Sequence, residues 1–312
     1  MSTPCPLRLG WIPDVPDARD YSCRHARVTP LLMRLNWSPA IRVPDEVDLQ
    51  SDDEGEYFRP VEDQGDLNSS AAFAVLSLVE YFERRVRGHT FDGSKRFLYR
   101  ITSHMSQRPG GAVSRKLADV GVELRTTFKA LNQFGVVPEQ YYPYFPSRFD
   151  EEPSQFIYGL AKVPDRLLYF RLDEANQDGL ATWRMLESFL AAGFPVVFGF
   201  SVPGSLSRSA EIPYRPQLDT VFGGQAAVAI GYRKHHFGRG QHALRIRCSW
   251  GRSWGENGNG WLPVSFIYKQ LAKDFWTCVS ESWFVDENGL QKERSPVELT
   301  RPSVLSVQDR SE

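Results

Sequence analysis

Apolar residues recur at Phe73, Leu76, Val79, Phe82 and Val86, three or four positions apart, and this predicts a helix from Ser70 with one buried face. Asn68 or Ser69 stands where the helix start needs a capping oxygen, and Gly88 where its end needs a left-handed residue. The same period predicts a helix over Leu124 to Phe134 closed by Gly135. It predicts another over about Leu180 to Ala192, with Trp183, Leu186 and Leu190 inward and Gly193 after it. From residue 195 the period shortens. PVVFGFSV (195–202), QAAVAIGYR (225–233), ALRIRCSW (243–250), WLPVSFI (261–267) and ESWFVD (281–286) are short apolar runs bounded by Gly, Pro or charge. They predict strands of an antiparallel sheet or barrel. Residues 203–222 lack a period and contain Pro203, Pro213 and Pro216, which predicts a long surface loop. Helices first and strands afterwards imply an α+β protein, a helical lobe facing a β lobe.

The two ends read differently from this middle. Residues 1–42 are rich in Pro, Arg and Asp and predict an extended arm, laid on the surface because Trp11, Ile12, Tyr21 and Trp37 are costly to leave in water. From Asn288 the chain turns polar, and residues 291–312 predict a disordered tail. Between them, residues 43–290 form the predicted domain, with a helical lobe over about 43–165 and a β lobe over about 166–290.

Composition narrows the partners. A net charge of −1 favours neither nucleic acid nor an anionic membrane. No apolar run is long enough to span a bilayer, and MSTPCPLRLGWIPD lacks the apolar core of a secretion signal. Cys5, Cys23, Cys248 and Cys278 are scattered and fit neither a disulfide framework nor a zinc site. A cytoplasmic protein without metal or cofactor is expected. His235, His236 and His242 fall in a predicted hairpin without acidic or thiol ligands at coordinating distance, so they read as solvated loop residues. His104 precedes the Pro109-Gly110-Gly111 turn, and the sequence does not place its side chain. The glycines of 251–260 lack a following Lys-Ser/Thr and read as turns, and Asp52–Glu56 reads as a solvated loop.

QGDLNSSAAF (64–73) places Ser70 at a helix start, near the positive end of the helix dipole, where nucleophiles are often held. This segment belongs to an ordered set of six: VPDEVDLQ (43–50), PVEDQGDLNSSAAF (60–73), GVELRTTFKALNQFGVVPEQYYPY (121–144), GFPVVFGFSV (193–202), GGQAAVAIGY (223–232) and RCSWGRSWGENGNGWLP (247–263). In this order they resemble the papain-like cysteine proteases. The resemblance implies a helical lobe and a barrel-like lobe with a substrate cleft between them. It also implies a Cys nucleophile, a His that pairs with it, an Asn that orients the His, and a Gln that helps bind the oxyanion.

Residue by residue, the resemblance keeps Gln64 as the oxyanion amide and Trp250, followed by Trp254, as the covering indoles. It puts Ser70 at the nucleophile position, Gln225 at the His position and Cys248 at the Asn position. An amide cannot take a proton near neutral pH, so nothing in the aligned set activates Ser70. Cys248 reads either as a displaced nucleophile or as a small buried packing residue. Gly121 aligns with the glycine at which the family pairs with an extended substrate; its other reading is a turn glycine. Only about 42 residues precede the domain, without a recognisable inhibitory helix. The expectation is a non-catalytic member, not an enzyme, that binds a peptide or protein partner through the cleft, using Gly121, Trp250 and Trp254. Two alternatives stay open. One is a hydrolase with altered chemistry at Ser70 or Cys248. The other is a structural subunit whose cleft is filled by its own arm or by a partner.

Overall fold

Val, Phe and Ala residues between Pro195 and Tyr232 form two adjacent strands whose neighbours build a single antiparallel sheet, and helices pack against it. In the computed structural model the described residues are 9–35, 37, 43–50, 57–88, 91–107, 117–163 and 167–284. Among them the order is α1 (Thr29–Arg34), β1 (Glu46–Asp48), α2 (Ser70–Arg87), α3 (Lys95–Gln107), α4 (Leu124–Phe134), α5 (Gln155–Leu160), β2 (Leu167–Arg171), α6 (Gly179–Ala191), β3 (Val196–Pro203), β4 (Val221–Arg233), β5 (Ala243–Arg247), β6 (Asn259–Pro263), α7 (Ser265–Tyr268) and β7 (Ala272–Ser280). The sheet runs β2-β7-β3-β4-β5-β6, antiparallel throughout, with β1 paired to β4. It stays open, where the sequence suggested a barrel-like lobe. The α+β class and the helical half before the β half are as expected.

Helix α2 lies against β4 and buries Ala71, Ala72, Val75, Leu76 and Leu78 completely. Small residues in its first turn let its start approach the sheet closely. It ends where the glycine requires: Gly88 has φ +68° and its N–H caps the Arg84 carbonyl. The start differs from expectation. Neither Asn68 nor Ser69 caps it. The Ser69 hydroxyl pairs with Tyr144 Oη at 2.6 Å, and Asn68 Nδ2 donates to the Asp119 carbonyl at 2.9 Å.

Two sequence expectations shift in the β half. The run 261–267 divides into the end of β6 and the short helix α7. ESWFVD is not a strand over its described part, since Glu281–Phe284 is a 3-10 turn. The final strand instead lies upstream as β7, where Lys273 and Asp274 interrupt the apolar pattern and hide it. Helix α3 was concealed for a related reason. Its Lys95, Arg96 and Arg100 look solvent-facing in sequence, yet all three are buried and paired with acids. Lys95 Nζ reaches Asp92 at 2.9 Å, Glu62 at 3.0 Å and Glu80 at 3.3 Å. Burial pushes the Glu80 carboxyl up to about 7, with Lys95 opposing the rise.

The arm is not a plain surface wrap. It includes α1, and its first described residues enter the space between helices and sheet. Trp37 packs on Phe189 with ring centroids 4.5 Å apart. The predicted tail from Asn288, the Asp52–Glu56 run and the Pro109–Gly111 turn lie outside the described residues. No helix among the described residues is long and apolar enough to cross a membrane.

Candidate active-site cleft

Gln64, Asn68 and Gly121 on the helical side face Gly199, Gly223 and Gly224 on the sheet side, and arm residues 9–14 run between them. The Trp11–Val122 pairing is parallel: Val122 N donates to the Gly10 carbonyl at 2.9 Å, and Ile12 N to the Val122 carbonyl at 3.1 Å. On the other side, Gly10 N and Trp11 N share the Gly224 carbonyl at 2.9 and 3.0 Å. Gly121 is what permits this approach. It has φ +87°, and a Cβ there would sit 2.6 Å from the Gly10 oxygen. The paired backbone is that of Val122, and Gly121 leaves room for the arm beside it.

Gln64 is engaged by the same segment. Gln64 Nε2 donates to the Leu9 carbonyl and the Leu67 carbonyl, each at 2.7 Å. Two carbonyl partners fix which end of this amide is nitrogen. Its Oε1 must then accept, and it does so from Ser249 Oγ at 2.6 Å and Gln225 Nε2 at 3.2 Å. Gln225 Nε2 also donates to Ser249 Oγ at 3.3 Å, while Gln225 Oε1 is buried without a partner. The central amides and hydroxyl thus form one fully buried network tied to a peptide carbonyl of the arm.

Ser70 is completely buried at the first turn of α2, and its Oγ accepts the Ala226 N–H at 3.1 Å. None of His25, His104, His235, His236 and His242 hydrogen-bonds to Ser70 or Cys248. His104 is exposed on α3. His236 stacks on Trp261 and His242 on Trp183, so these two are packed residues, not solvated ones. Among the described residues no group of His, Cys, Asp and Glu is arranged to hold a metal.

Cys248 does not meet Gln225 as the aligned position suggested. Ser249, passed over in the sequence, takes that contact. Cys248 lies beside a small void with Phe73, Ala74, Ser77, Ala226 and Val228, and burial pushes its thiol well above the ordinary range. A thiol whose burial disfavours the charged form is a poor thiolate. Trp250 and Trp254 are buried edge to face at 4.7 Å, and Trp254 Nε1 donates to the Ser207 carbonyl at 3.0 Å. They brace the 203–222 loop against the sheet.

The arm ends its passage at a carboxylate cluster that sequence spacing gave no means to assemble. Asp14 and Asp274 are both buried. Asp14 Oδ2 accepts from Trp276 Nε1 at 3.1 Å and from Arg125 N at 3.3 Å. Burial, then the Asp274 charge, push the Asp14 carboxyl from 3.8 up to about 7, against the pull of Arg125 and Arg171. Asp173 moves the same way to about 6, again chiefly through burial. A carboxyl whose docked value lies above its free value favours the docked state in acid. The Asp14 contribution to docking is therefore fully present below 3.8 and is lost as pH rises through about 7. Limited trypsin cleavage after exposed Arg19 reports release of the arm, and its rate, divided by trypsin's rate on a free peptide at the same pH, should rise over this window. Asp14→Asn should flatten the rise; an unchanged slope would remove Asp14 from the account.

With this geometry in view, the comparisons with known proteins are consistent with one another. No family model matches the chain. An uncharacterized peptidase C1-like protein of Acanthamoeba polyphaga mimivirus is 28% identical over 223 residues, 69% of this chain and 68% of that protein. The crystal structure of xylellain, a cysteine protease from Xylella fastidiosa, superimposes with a TM-score of 0.68 at 27% identity, covering 90% of this chain and 98% of xylellain. Digestive procathepsin L2 of Tenebrio molitor matches in fold alone, with a TM-score of 0.60 at 18% identity over 88% of this chain and 78% of its own.

The fold is papain-like. The chain is similar in sequence to a peptidase C1-like protein and in structure to a cysteine protease of this fold. These relatives overturn the expectation that it is not an enzyme: its neighbours in structure are proteases and its relative in sequence is peptidase-like. The residues at three aligned positions speak to one mechanism, a Cys–His pair, and not to the class of the protein.

Proposed function

We infer that the cleft of this papain-like relative holds an extended peptide segment, paired along Val122 and Gly224 with a carbonyl at Gln64, and that its own arm is the resident segment. The observation that supports this most strongly is the Gln64 Nε2 bond to the Leu9 carbonyl at 2.7 Å. A preformed amide donor aimed at a peptide carbonyl is the apparatus of peptide binding in this fold. The test uses the full chain carrying Trp11→Ala and Asp14→Ala, which weakens the arm's hold. Extended fluorescent peptides should bind this variant and not the intact chain. Binding to neither, with the melting transition preserved, would end the reading.

A second reading is favoured by the peptidase relatives. A segment so held is hydrolysed, with Ser70 as nucleophile. Turnover in the arm-weakened chain that disappears with Ser70→Ala would establish it.

A further inference from the structure

The arm places one large side chain in a hole that this chain makes from missing side chains. Trp11 is 6% exposed. A Cβ on Gly199 would lie 1.9 Å from its Cε2, and one on Gly224 2.7 Å from its Cε3. The hole therefore exists only because β3 and β4 carry glycine where strand sequences favour branched residues.

At this hole stands Asp274, 0% exposed, with φ +59°, a left-handed backbone that few side chains adopt. That conformation is held by Asp173, whose Oδ2 accepts Asp274 N at 2.8 Å and whose Oδ1 accepts Phe275 N at 2.9 Å. Arg171 pairs with Asp274 Oδ1. The other oxygen, Oδ2, accepts Trp11 Nε1 at 3.1 Å and Asp14 N at 2.8 Å. One buried carboxylate thus reads the indole N–H and the backbone three residues further on. The Asp14 side chain meets Trp276 Nε1 and Arg125 N.

Resting on the reading that the cleft binds peptide, we propose that it selects a Gly-Trp-x-x-Asp segment. Asp274 is the residue that recognises the indole, and the resident arm shields a site for a segment of this pattern in another protein. Gly belongs to the pattern because a Cβ on Gly10 would lie 2.2 Å from the Asn68 carbonyl oxygen. A hydrogen bond to a buried charge discriminates more strongly than a neutral one, so the indole N–H should carry a large share of the selectivity.

The experiment uses the full chain with Trp11→Ala and Asp14→Ala and three labelled peptides: LGWIPDVPD, the same with Leu for Trp, and the same with 1-methyltryptophan. The tryptophan peptide should bind at least about tenfold more tightly than either other, the methylated one failing through loss of a single donor. Equal binding of all three would overturn the indole site and leave the peptide-binding reading standing. No binding of any peptide by a chain that still melts cooperatively would overturn both. A one-to-one complex of this variant with the intact chain would make a second copy the occupant and overturn the choice of another protein. Should the variant not fold, the intact chain gives a second measurement. Excess tryptophan peptide should accelerate trypsin cleavage after Arg19 while the methylated peptide does not; equal rates would count against the proposal.

Discussion

Gly199→Ala is expected to expel the arm from the cleft while the rest of the domain remains folded. The added methyl would occupy the position of the Trp11 ring, 1.9 Å from Cε2, and a rigid ring packed on two strands has no small rotation that clears it. The backbone of β3 itself should accept alanine, since Gly199 is not among the glycines with positive φ. Trp11→Ala should produce the same release by the opposite route. It removes a buried ring and its bond to Asp274, a loss of about 3–5 kcal/mol on the scale of buried aromatic truncations. Two substitutions with opposite volume changes and one outcome would show that the Trp11–Gly199 contact is what holds the arm. The measurements are trypsin cleavage after Arg19 and the thermal melt. Rapid cleavage with one cooperative domain transition is expected of both variants. Slow cleavage in Gly199→Ala would mean that the ring finds another seat and that this contact does not govern docking.

Installing a Cys, a His and an Asn at the three aligned positions of the arm-weakened chain is expected to give the largest change in activity. Ser70→Cys supplies a thiol at the start of α2. Gln225→His supplies a base on β4, whose Ala226 N–H already donates to Ser70 Oγ. Cys248→Asn offers a side-chain amide to orient that imidazole. Gln64 is in place, with its Nε2 already on a peptide carbonyl. In serine proteases, loss of such coupled groups lowers turnover by about a millionfold, and oxyanion and binding contributions alone retain about a thousandfold over water. Hydrolysis of fluorogenic peptides by the triple variant should therefore exceed that of its background by on the order of a thousandfold or more. The same three changes with the arm intact should show much less, because the cleft is filled. No gain in either background would mean that Gln225 and Cys248 do not stand where a His–Asn pair could work. Ser249, which contacts Gln225, would then be the next position to alter.

Several parts of this molecule were legible in its residues alone. The period of α2 with its Gly88 stop, helix α4 and the strand pair β3–β4 rest on local spacing, which a linear reading can follow, while the aligned positions Gln64, Ser70 and Gln225 came from the family resemblance. Helix α3 and strand β7 were not legible, because each carries charge on a buried face. Lys95 and Asp274 look like surface residues until the partners that neutralise them are brought near from 15 and about 100 positions away. The same limit hid Ser249. Its neighbour Cys248 matched the aligned position, and only the fold shows whose side chain reaches the glutamines.

What the sequence by itself determined is the α+β class, the helical half before the β half, and the set of side chains available at the aligned positions, because helical and strand periods and residue identities are local properties. What only the tertiary structure decided is how the cleft is used. The arm's aromatic residues said that it must be buried somewhere. The hole at Gly199 and Gly224, the carboxylate of Asp274 and the amide of Gln64 decided where. These groups are far apart in the chain. Each became a recognition element through the burial that brought them together, where removing a methyl makes room for a ring and a charge without water must be answered by a donor.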